Sequence, residues 1–177
     1  MLKLTFFYFS IFCSMAICLT LLRKDVPFHG EFPWPSILLG ICSGPFLIFF
    51  ITKLKGIYKS CCFLIFLGET AMLCLGLYHH MNYALICGIF MLGILMTSTS
   101  VLIPFSIYYF FGVYDFGKSV SSLAKASLWG LLPGSFIPLF LKEYFSFEQL
   151  SMAAVLLLLC SFFALFSAWN HRFVLLK

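Results

Sequence analysis

Charge is what this chain most lacks. Only 10% of its residues are Asp, Glu, Lys or Arg, and 6 of 177 are acidic. A soluble domain of that length needs a charged surface to stay in water, so that class is excluded. Regular polar alternation is missing too, and a transmembrane β-barrel needs it along every strand. There is no Gly-x-Ser-x-Gly, no His-Glu-x-x-His, no P-loop and no cluster of carboxylates. No hydrolytic or phosphoryl-transfer centre is therefore legible, and the chain reads as a non-enzyme without a cofactor. No Cys-x-x-Cys occurs among its 8 cysteines, so neither a metal site nor a thiol redox centre is expected.

What is present is hydrocarbon. Apolar residues make up 63% of the sequence and arrive in blocks of helix-spanning length, about 17–25 residues. The expected class is an all-α membrane protein with six transmembrane helices. The spans run about 4–22, 36–52, 60–78, 83–107, 123–141 and 152–169, forming a single domain over 1–177. The first could pass for a secretory signal, but its run is too long and no small-x-small site follows, so it is kept as a helix. Cys13, Cys18, Cys42, Cys74, Cys87 and Cys160 lie inside apolar runs and read as small hydrophobes. Cys61-Cys62 sit at a helix end.

The net charge of +5 is scattered through short loops, which reads as topology rather than as a nucleic-acid surface. With both termini inside, Lys3, Lys53, Lys55, Lys59, Lys118, Lys125, Arg172 and Lys177 fall on the cytoplasmic side. Arg23, Lys24 and Lys142 fall outside. Eight against three satisfies the positive-inside rule and an even number of spans. The expected location is a cell membrane, crossed many times, and the inner membrane if the source is Gram-negative. The Arg23–Pro35 loop carries Pro27, Gly30 and Pro33 as breakers, with Trp34 as an interface anchor.

Two spans are interrupted by small residues and proline. The second carries Gly40, Gly44 and Pro45; the fifth carries Gly130, Pro133 and Gly134, then Pro138. Dividing six helices into two triplets makes these spans equivalent, a pointer to inverted repeats and a transport pathway. The rival reading is that the glycines let helices pack closely while proline merely kinks them. Glu69 lies near the middle of the third span with no basic residue close by in sequence. An ionised carboxylate there costs about 2.5–3.5 kcal/mol, so it should face the bundle interior, meet water or stay protonated. That makes it the proton-coupling candidate; the alternative is a tolerated glutamate bonded to a neighbouring helix. Lys125 starts the fifth span and can snorkel to the interface. Tyr114–Lys118 reads as a loop, His79-His80 as a surface pair, and His171-Arg172 as a basic tail.

The segment Ile51–Lys59 resembles the loop between the second and third helices of major facilitator superfamily transporters, G-x-L-x-D-R-x-G-R-R. Gly56 and Lys59 fit, while Lys53 takes the place of the aspartate and Leu54 that of the arginine. Ile103-Pro104, Phe116-Gly117-Lys118 and Ser119–Pro138 are similar to the tenth and eleventh helices of metabolite:proton symporters of the proline/betaine type. The resemblance implies one six-helix half of such a transporter, built from two inverted three-helix repeats with Lys53, Gly56 and Lys59 in a conformational loop. It also implies proton-coupled transport of a small polar solute or osmolyte. A lone half needs a second bundle, from a homodimer or a separate partner half. The alternative is a non-catalytic membrane subunit or an inactive remnant of a larger transporter.

Overall fold

The computed structural model describes residues 2–25, 34–77, 82–111, 116–141 and 144–175. Among the described residues there are six α-helices and no strand. They are α1 (Leu2–Asp25), α2 (Trp34–Lys55), α3 (Ile57–Gly76), α4 (Asn82–Phe111), α5 (Phe116–Leu141) and α6 (Phe147–Leu175). Each contains a stretch long and apolar enough to cross a bilayer, the pattern of a multi-pass membrane protein. Pro27, Gly30, Pro33, His79, His80, Tyr114, Asp115, Lys142 and Lys177 lie outside the described residues.

The helices run past the apolar blocks at several ends. α5 begins at Phe116, so Phe116-Gly117-Lys118 forms its first turn instead of a loop. α4 has 30 residues, about 45 Å of helix against a hydrocarbon core of about 30 Å. Its excess must tilt or project beyond the core. The two spans that carry glycine and proline are continuous helices: α2 runs through Pro45, and α5 through Pro133 and Pro138. Proline removes one backbone bond, yet in lipid the remaining ladder has no water to replace it and stays helical.

α1 packs chiefly against α5 and α6, α2 against α4, and α3 against α4 and α6. Tyr8 and Ile11 of α1, Leu64 of α3, Leu95 of α4 and Leu158 of α6 are fully buried, so side chains fill the middle of the bundle. Several hydroxyls inside the helices are satisfied locally. Ser10, Thr20, Thr99 and Ser135 each donate to the carbonyl four residues back. That removes polar cost without leaving a polar face.

One residue separates α2 from α3. Gly56 has φ 84° and ψ 165°, a backbone region that residues with a Cβ rarely enter. Its N–H bonds the Thr52 carbonyl, and Thr52 Oγ1 meets Ser60 Oγ at 2.9 Å across the break. A Cβ there would touch nothing within 4 Å, so substitution costs backbone strain alone. Gly56→Ala is expected to lower stability by about 1–3 kcal/mol. Gly56→Asn should not rescue it, because asparagine tolerates the left-handed helical region and not this one. Thermal unfolding of the purified variants in detergent checks both.

Candidate functional site

The glycines of the second and fifth spans sit in two helix crossings. A Cβ on Gly40 would collide with the Phe90 carbonyl of α4, and one on Gly44 with Thr97 Oγ1. Gly93 answers from the other side, where a Cβ would stand 2.6 Å from the Ile37 carbonyl. In α5 a Cβ on Gly130 would stand 2.5 Å from the Phe9 carbonyl of α1, and one on Gly134 would collide with the Cys13 carbonyl. Both crossings therefore bring backbone against backbone, as small residues allow in membranes. Ser98 of α4 donates to the Gly44 carbonyl at 3.0 Å, pinning the first crossing with an interhelical bond. Pro45 and Pro133 are partly exposed beside these glycines.

Glu69 sits on the flank of α3 and is partly exposed. The buried face of that helix is Leu64, Gly68, Ala71, Met72 and Leu75, while Phe66 and Leu73 face outward. Seven residues on from Glu69, and so on the same side, Gly76 abuts Ser151 of α6. Glu69 thus lies on the seam of α3 with α6, away from the buried centre. Among the described residues no hydrogen bond or ion pair reaches it. Lys53 and Lys59 are exposed on either side of Gly56.

The structure also assembles a polar cluster with no sequence signature. Tyr8 Oη and Ser106 Oγ lie 2.7 Å apart, and Cys61 Sγ is 4.0 Å from the same serine oxygen. The three come from α1, α4 and α3 and are wholly buried. Their spacing along the chain gives no hint of it, because each reads as one polar atom in an apolar block. Chemically it is a fully buried hydroxyl–hydroxyl bond with a thiol beside it, which orients Tyr8 and ties three helices together. Among the described residues no group of three His, Cys, Asp or Glu side chains could hold a metal ion.

No family model, curated protein or solved structure matches the chain. Gly40 and Gly44 meet in one crossing and Gly130 and Gly134 in the other, Glu69 stands apart on the α3–α6 seam, and Lys53 and Lys59 flank the α2–α3 break. The crossings were legible as glycine spacing. The helices opposite them were not, since α1 offers Phe9, Cys13 and Ala16 at its crossing, none of which signals a contact.

Proposed function

We propose that this chain is a half-size, major-facilitator-like transport bundle that moves a small polar solute or osmolyte across a membrane with protons. In this reading both termini face the cytoplasm, where the lysine excess lies. The observation that carries it is the matched packing of the two triplets. α2 seats Gly40 and Gly44 on α4, while α5, its counterpart, seats Gly130 and Gly134 on α1, the counterpart of α4. α1 also packs on α6 as α4 packs on α3. Each triplet thus lends its middle helix to the first helix of the other. Three helices per triplet put the second copy upside down, which supports two inverted repeats.

In this reading the pathway lies outside the filled bundle, against a second bundle from another copy or a separate partner half. The outer face of α4 offers exposed Ser100, Pro104 and Tyr108 for such a wall. A different reading, a membrane subunit that only packs against other proteins, draws on Glu69 at the α3–α6 seam, which has no partner among the described residues. Such a carboxylate would bond a polar group on a neighbouring chain.

Reconstitution separates the two. Proteoliposomes holding the purified full chain are expected to accumulate proline- or betaine-like solutes when a pH gradient is imposed. Accumulation should collapse when a protonophore is added. Solute retention no greater than in empty vesicles, across zwitterionic osmolytes and with the gradient verified, would favour the subunit.

A further inference from the structure

α1 and α5 run side by side in the same direction, since Gly130 meets Phe9 and Cys13 while Gly134 meets Cys13 and Ala16. That register places Lys125 beside the second turn of α1, within about one turn of the depth of Lys3. Between α1, α5 and α6 at this end lies a groove of about 660 Å³. Lys3, Ser122 and Lys125 line it together with Phe6, Phe9 and Trp129. Trp129 is one turn past Lys125 on the same face of α5, level with Phe9. The groove is therefore cationic toward the helix ends and hydrocarbon toward the middle of the bundle.

Among the described residues neither cation has a counter-ion. The Lys3 ammonium donates to Ser167 Oγ at 2.6 Å and to the Ser167 carbonyl at 3.3 Å, leaving one of its three N–H donors. No carboxylate lines the groove, and among the described residues no hydrogen bond or ion pair reaches Lys125. Two ammonium groups sharing one low-dielectric groove repel unless an anion sits between them. At the headgroup boundary the anion present at highest concentration is lipid phosphate, which carries a chain that fills apolar space.

We infer that this groove holds a membrane phospholipid with an anionic headgroup, its phosphate between Lys3 and Lys125 and an acyl chain along Phe6, Phe9 and Trp129. A zwitterionic headgroup carries its own cation and gains less from the two lysines. A free phosphate would satisfy the lysines and leave the apolar part empty. The inference needs only membrane insertion and stands apart from the transport reading.

Trp129 supplies the probe. With Trp34→Phe and Trp169→Phe in the full chain, its fluorescence reports the groove alone. In vesicles of phosphatidylcholine and phosphatidylglycerol, bromine is placed on the chains of one lipid or the other. Brominated phosphatidylglycerol is expected to quench Trp129 well beyond its mole fraction. Lys3→Gln and Lys125→Gln should each weaken that preference roughly fivefold. Lys125→Arg should keep it, and Lys55→Gln, on the exposed end of α2, should leave it unchanged and so separate site binding from a general surface charge effect. Equal quenching by both lipids in the parent overturns the inference. So does a preference that inorganic phosphate abolishes, which would assign the site to a free anion. Weak quenching by either lipid, with cross-linking of Trp129 to a second copy, would assign the groove to a protein contact and also overturn it.

Discussion

Gly40→Ala and Gly130→Ala will each destabilise the bundle, whereas Gly117→Ala will not. On propensity alone all three should gain about 0.5–1 kcal/mol, because alanine is the better helix former. At Gly117 nothing lies within 4 Å of the added carbon, so the gain survives. At Gly40 and Gly130 the carbon meets a backbone carbonyl of the facing helix, which no rotamer change can move aside. The helices must separate along the crossing, forfeiting close contacts over more than one turn. Overpacking of this kind costs about 1–3 kcal/mol, enough to outweigh the propensity gain. Leucine at Gly44 and Gly134 should exceed that range and prevent a monodisperse bundle. The measurement is thermal unfolding followed by a thiol-reactive dye, since buried cysteines such as Cys13 and Cys61 report opening. Size-exclusion chromatography shows whether the leucine variants remain monodisperse. A Gly40→Ala variant as stable as Gly117→Ala would remove the crossings from the fold.

Glu69 predicts a trade between stability and activity. An ionised carboxylate at this depth without a partner costs about 2.5–3.5 kcal/mol on the insertion scale. Glu69→Leu should therefore raise the unfolding free energy of the purified chain by about 2 kcal/mol after allowing for partial exposure. In the transport reading Glu69→Gln should abolish accumulation driven by a pH gradient while leaving solute exchange at equal pH intact. Glutamine keeps the size and hydrogen-bonding capacity and removes only the titrating proton. In that reading the charge on Glu69 acts through the packing of the α3–α6 seam. Uptake by Glu69→Gln with the parent's pH dependence would remove Glu69 from the coupling mechanism.

The sequence was most informative where one property acts along a single helix. Block length marked six spans, and each holds a helix apolar enough to cross a bilayer. It was less informative at the ends, because Phe116–Lys118 is polar enough to read as a loop and still helical once outside the hydrocarbon. Proline left its two spans whole, as their lengths implied. Pro45, Pro133 and Pro138 break helices in water, where freed carbonyls find solvent, but not in a bundle. The depth of Glu69 could be read from its neighbours, yet its facing could not, since one wheel position separates a core residue from a flank.

By itself, then, the amino-acid order determined the solvent: a chain with so little charge and such long apolar blocks can satisfy its backbone in lipid only as helices. Only the tertiary structure decided the partners of those helices. It set the Gly40 and Gly130 seams, the Tyr8–Ser106 bond and the shared groove of Lys3 and Lys125. Each joins residues far apart in the chain, and lipid rewards every apolar face equally. Close backbone fit and the pairing of a few polar atoms therefore choose the neighbours.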